Sequence, residues 1–197
     1  DIKNRVTLMG LPSSFKQIST DDIDLDDPNR IEIYHYITEY INRFDMTTQK
    51  GLYVFGTFGV GKSYLMAYLA NRLSAKYGKS TTMLHFPTFC VGIKSAINTG
   101  TVKEEIDQLK AAEILILDDI GAEQFSPWIR DDVLQVILQY RMQENLLTFF
   151  TSNLDFKDLE AHFATSRSGD ETWQAKRIME RIRYLAKEIH LQGDNRR

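Results

Sequence analysis

The stretch that decides the fold is Gly56-Thr57-Phe58-Gly59-Val60-Gly61-Lys62-Ser63, which has the phosphate-binding pattern G-x-x-x-x-G-K-S. It follows the apolar run GLYVFG at 51–56, typical of a buried strand, and precedes a predicted helix from Lys62 to Tyr77. Glycines let successive backbone N–H groups converge on phosphate oxygens, and the helix N-terminus adds its positive dipole end. The sequence therefore predicts a nucleotide site, with Lys62 on the β- and γ-phosphates, Ser63 on Mg²⁺ and Tyr64 beside the nucleotide.

A second motif, ILILDDIG at 114–121, places two carboxylates at the end of an apolar strand. Asp118 is in a position to hold Mg²⁺, directly or through a water. Asp119 is the candidate that polarises the attacking water, although many ATPases with this pair of motifs have the longer glutamate at that position. Glu123, four residues further on, is an alternative base.

A third motif is Thr151-Ser152-Asn153, which ends the predicted strand LLTFFTSN. The amide of Asn153 both donates and accepts, so it can orient a water and sense the γ-phosphate. Strands alternate with helices along the chain, which predicts a doubly wound parallel sheet of five strands between helices. The order of the motifs predicts an additional strand between the two motif strands, as in one division of the P-loop enzymes.

Composition limits the remaining classes of protein. The 197 residues are 43% hydrophobic and carry a net charge of −3, which suits one globular α/β domain. The single cysteine, Cys90, excludes an internal disulfide framework and a multi-cysteine metal site, and the sequence has no signal peptide and no apolar run that could span a membrane. We therefore expect a reducing, cytoplasmic location and no membrane partner.

Charge and turn residues suggest how the chain is organised. Residues 1–28, with the acidic run TDDIDLDDP, are interpreted as an N-terminal linker or arm, and residues 29–197 as the domain that carries the predicted nucleotide site. Residues 165–197 carry eight basic and five acidic side chains, an arginine-rich end that the net charge conceals.

With these motifs in order, the chain resembles an AAA+ ATPase. The strings GLYVFGTFGVGKSYLMAYLAN, ILILDDIGAEQFSPWIRDDVLQVILQYR, TFFTSNLDFKDLE and AKRIMERIRYLAKEI look like the ATPase domain of DnaI-type primosomal helicase loaders, relatives of DnaC-type loaders and of transposase helper ATPases. The resemblance covers about residues 12–197. It implies ATP or ADP with Mg²⁺ as ligands and a reduced lid, and we expect no full lid domain in this chain.

The resemblance also implies roles for C-terminal arginines. Arg181 in MERIR matches the arginine finger that completes the site of a neighbouring subunit, with Arg177 and Arg183 on the same helix as alternatives. The terminal GDNRR is similar to the family's sensor-2 segment, so Arg197 is the expected ligand of the chain's own nucleotide, with Arg196 as runner-up.

Residues 87–112 occupy the place of the helix pair that marks initiator-type AAA+ proteins, which in relatives lines a pore for single-stranded DNA. Lys94, Ser95 and Lys103 are the candidate DNA contacts, and Thr101 is a weaker one. A purely structural hairpin is the alternative interpretation.

The resemblance implies a helicase-loader ATPase domain acting in primosome assembly and DNA replication, with a hexameric replicative helicase, single-stranded DNA and further copies of itself as partners. Loaders of this type are similar to one another in having an N-terminal zinc-containing region. This chain has no such cysteine cluster and begins at Asp1, so we expect it to be the isolated ATPase part. A transposition helper ATPase and a nucleotide-switch binding module with negligible hydrolysis are the alternatives.

Overall fold

A computed structural model describes residues 6–17, 28–45, 50–57, 61–165 and 169–191. Within these ranges a parallel sheet is enclosed by helices, and a short 3-10 helix, Ser13–Gln17, follows the first strand. The strands are β1 Val6–Met9, β2 Gly51–Phe55, β3 Thr81–His85, β4 Ile114–Asp118, β5 Leu147–Ser152 and β6 Ala186–His190. The helices are α1 Pro28–Asn42, α2 Lys62–Tyr77, α3 Phe86–Thr99, α4 Val102–Ala111, α5 Gln135–Gln143, α6 Phe156–Ala164 and α7 Thr172–Leu185, with a π-helix, Ile129–Leu134, leading into α5.

The strands pair in the order β1-β3-β4-β5-β2-β6, and each pairing in this sheet is parallel. Strand β5 therefore lies between β2, which precedes the phosphate-binding motif, and β4, which ends in the paired aspartates. This confirms the predicted additional strand. Since the carboxyl ends of parallel strands meet at one edge of the sheet, all three motifs lie together there.

The predicted count of five strands was wrong, because the described part of the sheet has six. The missed strand is β1, at the edge of the sheet, where Val6 pairs with Thr81. It is only four residues long, and of its side chains only Val6 is fully buried, so its hydrophobic signal is weak. Part of the segment interpreted as an arm thus belongs to the sheet; the boundary at residue 28 stays a prediction.

Both faces of the sheet are covered by helices, which explains the continuous apolar runs in the strands. Side chains of α3, α4, α5, α6 and α7 pack on one face, against Leu115, Leu117 and Phe150. Side chains of α1, α2 and the 3-10 helix pack on the other, against Ile114, Ile116 and Phe149. The two faces alternate along each strand, as the pleat requires.

Glycines end two predicted helices where the sequence places them. Gly78 follows α2 with φ +66° and donates its N–H to Ser74 O at 3.0 Å. Gly100 follows α3 with φ +71° and separates it from α4, so the predicted helix pair over 87–112 is confirmed. Glycine adopts a positive φ without the steric strain that a Cβ would cause, so both residues end their helices effectively.

Among the described residues, Arg130 and Arg141 are buried, and each connects several elements of the fold. Arg130, in the π-helix, donates to Phe163 O at 2.8 Å, to Glu171 Oε2 at 2.5 Å and to both carboxylate oxygens of Asp131 at 2.8 Å. It thereby joins the π-helix to the end of α6 and the start of α7, and its guanidinium lies 5.3 Å from the ring centroid of Phe125. Its charge is balanced by two carboxylates, as a buried cation requires.

Arg141 is completely buried and binds carbonyl groups instead. Its guanidinium donates to Leu109 O, Ala112 O and Leu147 O, and its Nε donates to Thr148 Oγ1 at 2.9 Å. Burial lowers the pKa of the Arg141 guanidinium to about 9. This side chain fixes the end of α4 to the start of β5.

None of the described helices is long and apolar enough to cross a membrane.

Candidate nucleotide-binding site

The phosphate-binding loop begins at the end of β2 and runs into the N-terminus of α2. Gly56, Thr57 and Gly61 frame it, while Phe58, Gly59 and Val60 lie outside the described residues. Gly61 has φ +85° and directly precedes α2, a left-handed conformation that glycine adopts without strain. The free N–H groups of the first turn of α2 face this loop, which gives an anion site its basic architecture.

Lys62 connects the loop to the neighbouring strand end. Its ammonium Nζ donates to Gly56 O and Thr57 O, both at 3.1 Å, and to Asn153 Oδ1 at 2.9 Å. Burial lowers the pKa of Lys62, while Asp119 and Asp118 act in the opposite direction. Lys62 and Asn153, which the sequence predicted as partners at one site, are therefore in direct contact. Because Asn153 Oδ1 accepts from Lys62, its amide N–H groups remain as donors toward a ligand.

Ser63 and Asp118 form the predicted metal-binding pair. Ser63 Oγ donates to Asp118 Oδ1 at 2.7 Å, and Thr151 Oγ1 donates to the same carboxylate oxygen at 2.8 Å. Asp118 is only 3% exposed. Hydroxyl and carboxylate oxygens are ligands that Mg²⁺ accepts, and Mg²⁺ commonly takes its other ligands from phosphates and water. These two side chains fit a metal ion that a nucleotide also binds. Among the described residues, no cluster of three or more His, Cys, Asp or Glu could hold a metal.

Asp119 has an unusual backbone conformation, with φ +63°. For a residue with a side chain this costs about 1–3 kcal/mol and persists where surrounding contacts impose it. Its N–H donates to Thr151 Oγ1 at 2.8 Å, so one hydroxyl contacts both aspartates. The carboxylate is about a third exposed, which leaves it accessible to a water molecule.

His85 is a site residue that sequence analysis missed. Its Nε2 lies 3.4 Å from Asp119 Oδ2, and its Nδ1 lies 2.7 Å from Thr88 Oγ1. His85 ends β3 and pairs in register with Asp118 on β4. A signal was present, since the motif edge of a parallel sheet includes the last residue of every neighbouring strand.

Glu123, the alternative base, has no free carboxylate oxygen. Its Oε2 accepts from Gly121 N at 2.7 Å, and its Oε1 lies 2.9 Å from His162 Nε2. The side chain is 4% exposed. This arrangement favours a structural part for Glu123 over proton transfer with a water molecule.

Arg181 lies away from the phosphate-binding loop of its own chain. Its Nε donates to Gln139 Oε1 at 2.7 Å and its Nη1 to Arg177 O at 2.8 Å. It lines an open cavity of about 600 Å³ between α4, α5 and α7, together with Lys110 and Arg177. Burial and the nearby Arg177 lower the pKa of Arg181. The alternative Arg183 lies elsewhere, 3.6 Å from Glu160 Oε1 and over the ring of Phe156.

The remaining predicted contacts lie in several parts of the chain. Tyr64 is 48% exposed in the first turn of α2 and meets Phe15 edge to face, with ring centroids 4.9 Å apart. Lys94 and Ser95 are exposed on α3, and Lys103 on α4 forms an ion pair with Asp107 at 2.7 Å. Arg196 and Arg197 lie outside the described residues.

The double contact of Thr151 yields a stability prediction. Thr151→Val keeps the side-chain shape but removes the hydroxyl, so Asp119 N–H loses its acceptor and Asp118 loses a donor. We expect the free energy of unfolding, measured by urea denaturation, to fall by about 1–3 kcal/mol. The control Thr165→Val removes an exposed hydroxyl that donates to Ala161 O, and should change it by less than about 0.5 kcal/mol. Equal effects in the two variants would contradict this role for Thr151.

Known proteins are similar to this chain over most of its length. Residues 38–197 match the family described as IstB-like ATP binding protein. Over 189 residues the chain is 39% identical to the replicative helicase loader DnaI of Bacillus subtilis. The matched region covers 95% of this chain but only 59% of the length of DnaI.

Solved structures extend the comparison to the fold. The crystal structure of a candidate primosome component from Streptococcus pyogenes serotype M3 is 50% identical, covers all of this chain and 97% of that one, and superposes with a TM-score of 0.81. The DnaC helicase loader, at 18% identity, covers 92% of this chain and all of that one with a TM-score of 0.75, and so shows the shared AAA+ P-loop fold alone. The chain therefore belongs to the family of IstB-like ATP-binding proteins and is similar over nearly its whole length to helicase loaders of the DnaI kind.

Proposed function

We propose that this domain hydrolyses ATP and helps to load a hexameric replicative helicase onto single-stranded DNA during primosome assembly, in the cytoplasm. The observation that carries the proposal is the convergence of Lys62, Asn153, Ser63, Asp118 and Asp119 at one edge of the sheet. The helicase part rests on the similarity to DnaI, which is a replicative helicase loader.

The site residues divide the work of hydrolysis among themselves. Lys62 binds the β- and γ-phosphates, and Ser63 and Asp118 hold Mg²⁺, which when bound neutralises charge on the phosphate oxygens. The Asp119 carboxylate takes a proton from the attacking water as the water oxygen bonds to the γ-phosphorus and the bond to the β,γ-bridging oxygen breaks. The amide N–H groups of Asn153 orient that water or the γ-phosphate.

Asp119 is held for this task by two different neighbours. Its N–H is bound by Thr151, which fixes the backbone, and His85 lies beside its carboxylate on the other side. A base that is held in place before the substrate arrives loses little free energy to reorganisation in the transition state. Asn153 follows β5 and Asp119 follows β4, so the two side chains face the γ-phosphate from the ends of adjacent strands.

Arg181 completes the site of a second copy of the chain. Its contacts lie on α5 and α7, and it shares an open cavity with the cations Lys110 and Arg177. Of the charged side chains that line the cavity, Lys110, Arg177 and Arg181 are cations and Asp131 is an anion. This excess of positive charge favours an anion there, and the γ-phosphate of a neighbouring subunit's ATP has that chemistry.

Mixing experiments test this action between subunits. Arg181→Ala should leave ATP affinity unchanged and lower the hydrolysis rate by about 10³-fold or more. Lys62→Ala should abolish ATP binding because the phosphates lose their buried cation. A mixture of the two inactive variants should recover activity, since an intact loop then meets an intact arginine.

The control is Arg183→Ala, on the same helix, which should retain hydrolysis because Arg183 contacts Glu160 and Phe156 instead. If the mixture stays inactive while wild-type protein hydrolyses ATP, action between subunits is wrong. If wild-type protein binds ATP but releases no phosphate even with DNA and helicase, the domain is a nucleotide-switch module.

The α3–α4 pair is the proposed contact with single-stranded DNA. Lys94 and Ser95 are exposed, while Lys103 is engaged with Asp107, so Lys94 is the side chain best placed for a phosphate. The slope of log affinity against log salt should become shallower by about 0.7 in Lys94→Ala, the value for one phosphate contact on a single strand. Lys79→Ala, a control outside this pair, should leave the slope unchanged. A flat salt response in wild-type protein would favour the structural hairpin.

Co-purification identifies the partner. The full-length protein should retain the cognate hexameric helicase in a manner that depends on ATP, and the Lys62→Ala variant should lose that dependence. Retention of a transposase, with no retention of helicase, would instead identify a transposition helper ATPase.

A further inference from the structure

The turn that carries Asp119 connects two parts of the site. It begins at Asp119, with φ +63°, passes through Gly121, with φ +96°, and is closed by a bond from Ala122 N to Asp119 O at 3.3 Å. A Cβ at Gly121 would lie 2.9 Å from Leu154 Cδ1. The turn is therefore packed tightly against the residue that follows Asn153.

The end of β5 holds the first half of this turn. Asp119 N donates to Thr151 Oγ1, Ile120 N donates to Thr151 O at 3.0 Å, and Ser152 Oγ donates to Ile120 O at 2.6 Å. These bonds determine where the backbone of Asp119 and Ile120 lies. They do not reach Gly121, where the chain must again adopt a positive φ.

Glu123 holds the second half. Its Oε2 accepts the Gly121 N–H, and its Oε1 is bound by His162 on α6. The rings of Phe125 and Phe163 flank His162, with centroids at 6.2 and 5.3 Å. A carboxylate that is buried to this extent needs both partners, so its position is strongly determined.

His162 belongs to α6, the helix that follows Asn153. Helix α6 begins at Phe156, three residues after Asn153. Its start is fixed by Tyr53 Oη, which donates to Leu154 O at 2.6 Å, and by Phe156 N, which donates to Glu188 Oε2 at 2.6 Å. Glu123 and His162 thus tie the Asp119 turn to the same rigid body that carries Asn153.

We propose that Glu123 is a positioning residue, which acts through the Gly121 N–H and through His162 to hold Asp119 in its left-handed conformation at a fixed distance from Asn153. It takes no proton from water itself. This inference rests on the proposed hydrolysis of ATP by Asp119.

Two substitutions at Glu123 separate positioning from base catalysis. Glu123→Gln keeps an oxygen that accepts from Gly121 N–H and gains an amide N–H that donates to the His162 Nε2 lone pair in the Nδ1–H tautomer, but it has no basicity. Glu123→Ala removes both bonds. We expect Glu123→Ala to lower kcat by about 10–100-fold with ATP affinity unchanged, since displacement of a catalytic group by about 1 Å costs that much. Glu123→Gln should restore most of kcat.

Equal loss of kcat in the alanine and glutamine variants would overturn the proposal, because the carboxylate itself would then be required. Unchanged kcat in Glu123→Ala, with hydrolysis abolished in Asp119→Asn, would also overturn it. If Glu123→Ala does not fold, His162→Ala removes only the outer partner; a lower kcat at unchanged ATP affinity supports the proposal, and an unchanged kcat contradicts it.

A readout that needs no hydrolysis keeps the inference separate from the proposed function. Hydrogen exchange of the Gly121 amide, measured by NMR in wild-type and variant proteins, should be faster in Glu123→Ala than in Glu123→Gln, and close to wild type in the latter. If wild-type protein fails to hydrolyse ATP, the proposed function is wrong, and this comparison alone then decides whether Glu123 holds the turn. Equal exchange in all three proteins would overturn the inference.

Discussion

The position of β5 between β2 and β4 is the constraint on which the site depends. Adjacent strands lie about 4.8 Å apart, so the two motif strands are separated by about twice that distance. This spacing leaves room for the first turn of α2 above the end of β5, and Ser63 reaches Asp118 from there. The same strand supplies Thr151 to both aspartates and leads to Asn153 beside Lys62. If β2 and β4 were direct neighbours, none of these contacts would have this geometry.

Electrostatics adds a free-energy reason for the site to bind an anion. Burial lowers the pKa of Lys62, so keeping this ammonium charged in the folded protein costs stability. The cost is present at neutral pH and is lost only as the pH rises toward the ordinary pKa of lysine, because the unfolded chain binds the proton more tightly than the folded one. A polyphosphate supplies the negative charge that offsets this cost. Binding and folding are therefore linked at this side chain.

The sequence predicted the elements whose signals are local. The apolar runs of β4 and β5 and the glycine stops of α2 and α3 each depend on neighbouring residues, and the structure has these strands and helix ends where expected. The glycine and lysine spacing of the phosphate-binding loop is also a local signal, and the structure describes Gly56, Thr57 and Gly61 of that loop. What escaped prediction depends on contacts between distant residues. Strand β1 is recognisable only by its pairing with β3, and His85 only by its position beside Asp119. The part proposed for Glu123 depends on its contact with His162, 39 positions away. The neighbours of the arginines of α7, such as Gln139 for Arg181 and Glu160 for Arg183, likewise came only from the structure.

Arg130 has a consequence for any partner that docks on α7. By binding Phe163 O, Asp131 and Glu171 at once, it fixes the start of that helix to α6 and to the π-helix before any partner arrives. A helix held in this way has little conformational freedom left to lose on association, because it is already ordered in the folded protein. A surface that docked on α7 would therefore meet a helix whose conformation is already set, and would have to match that helix in shape and charge.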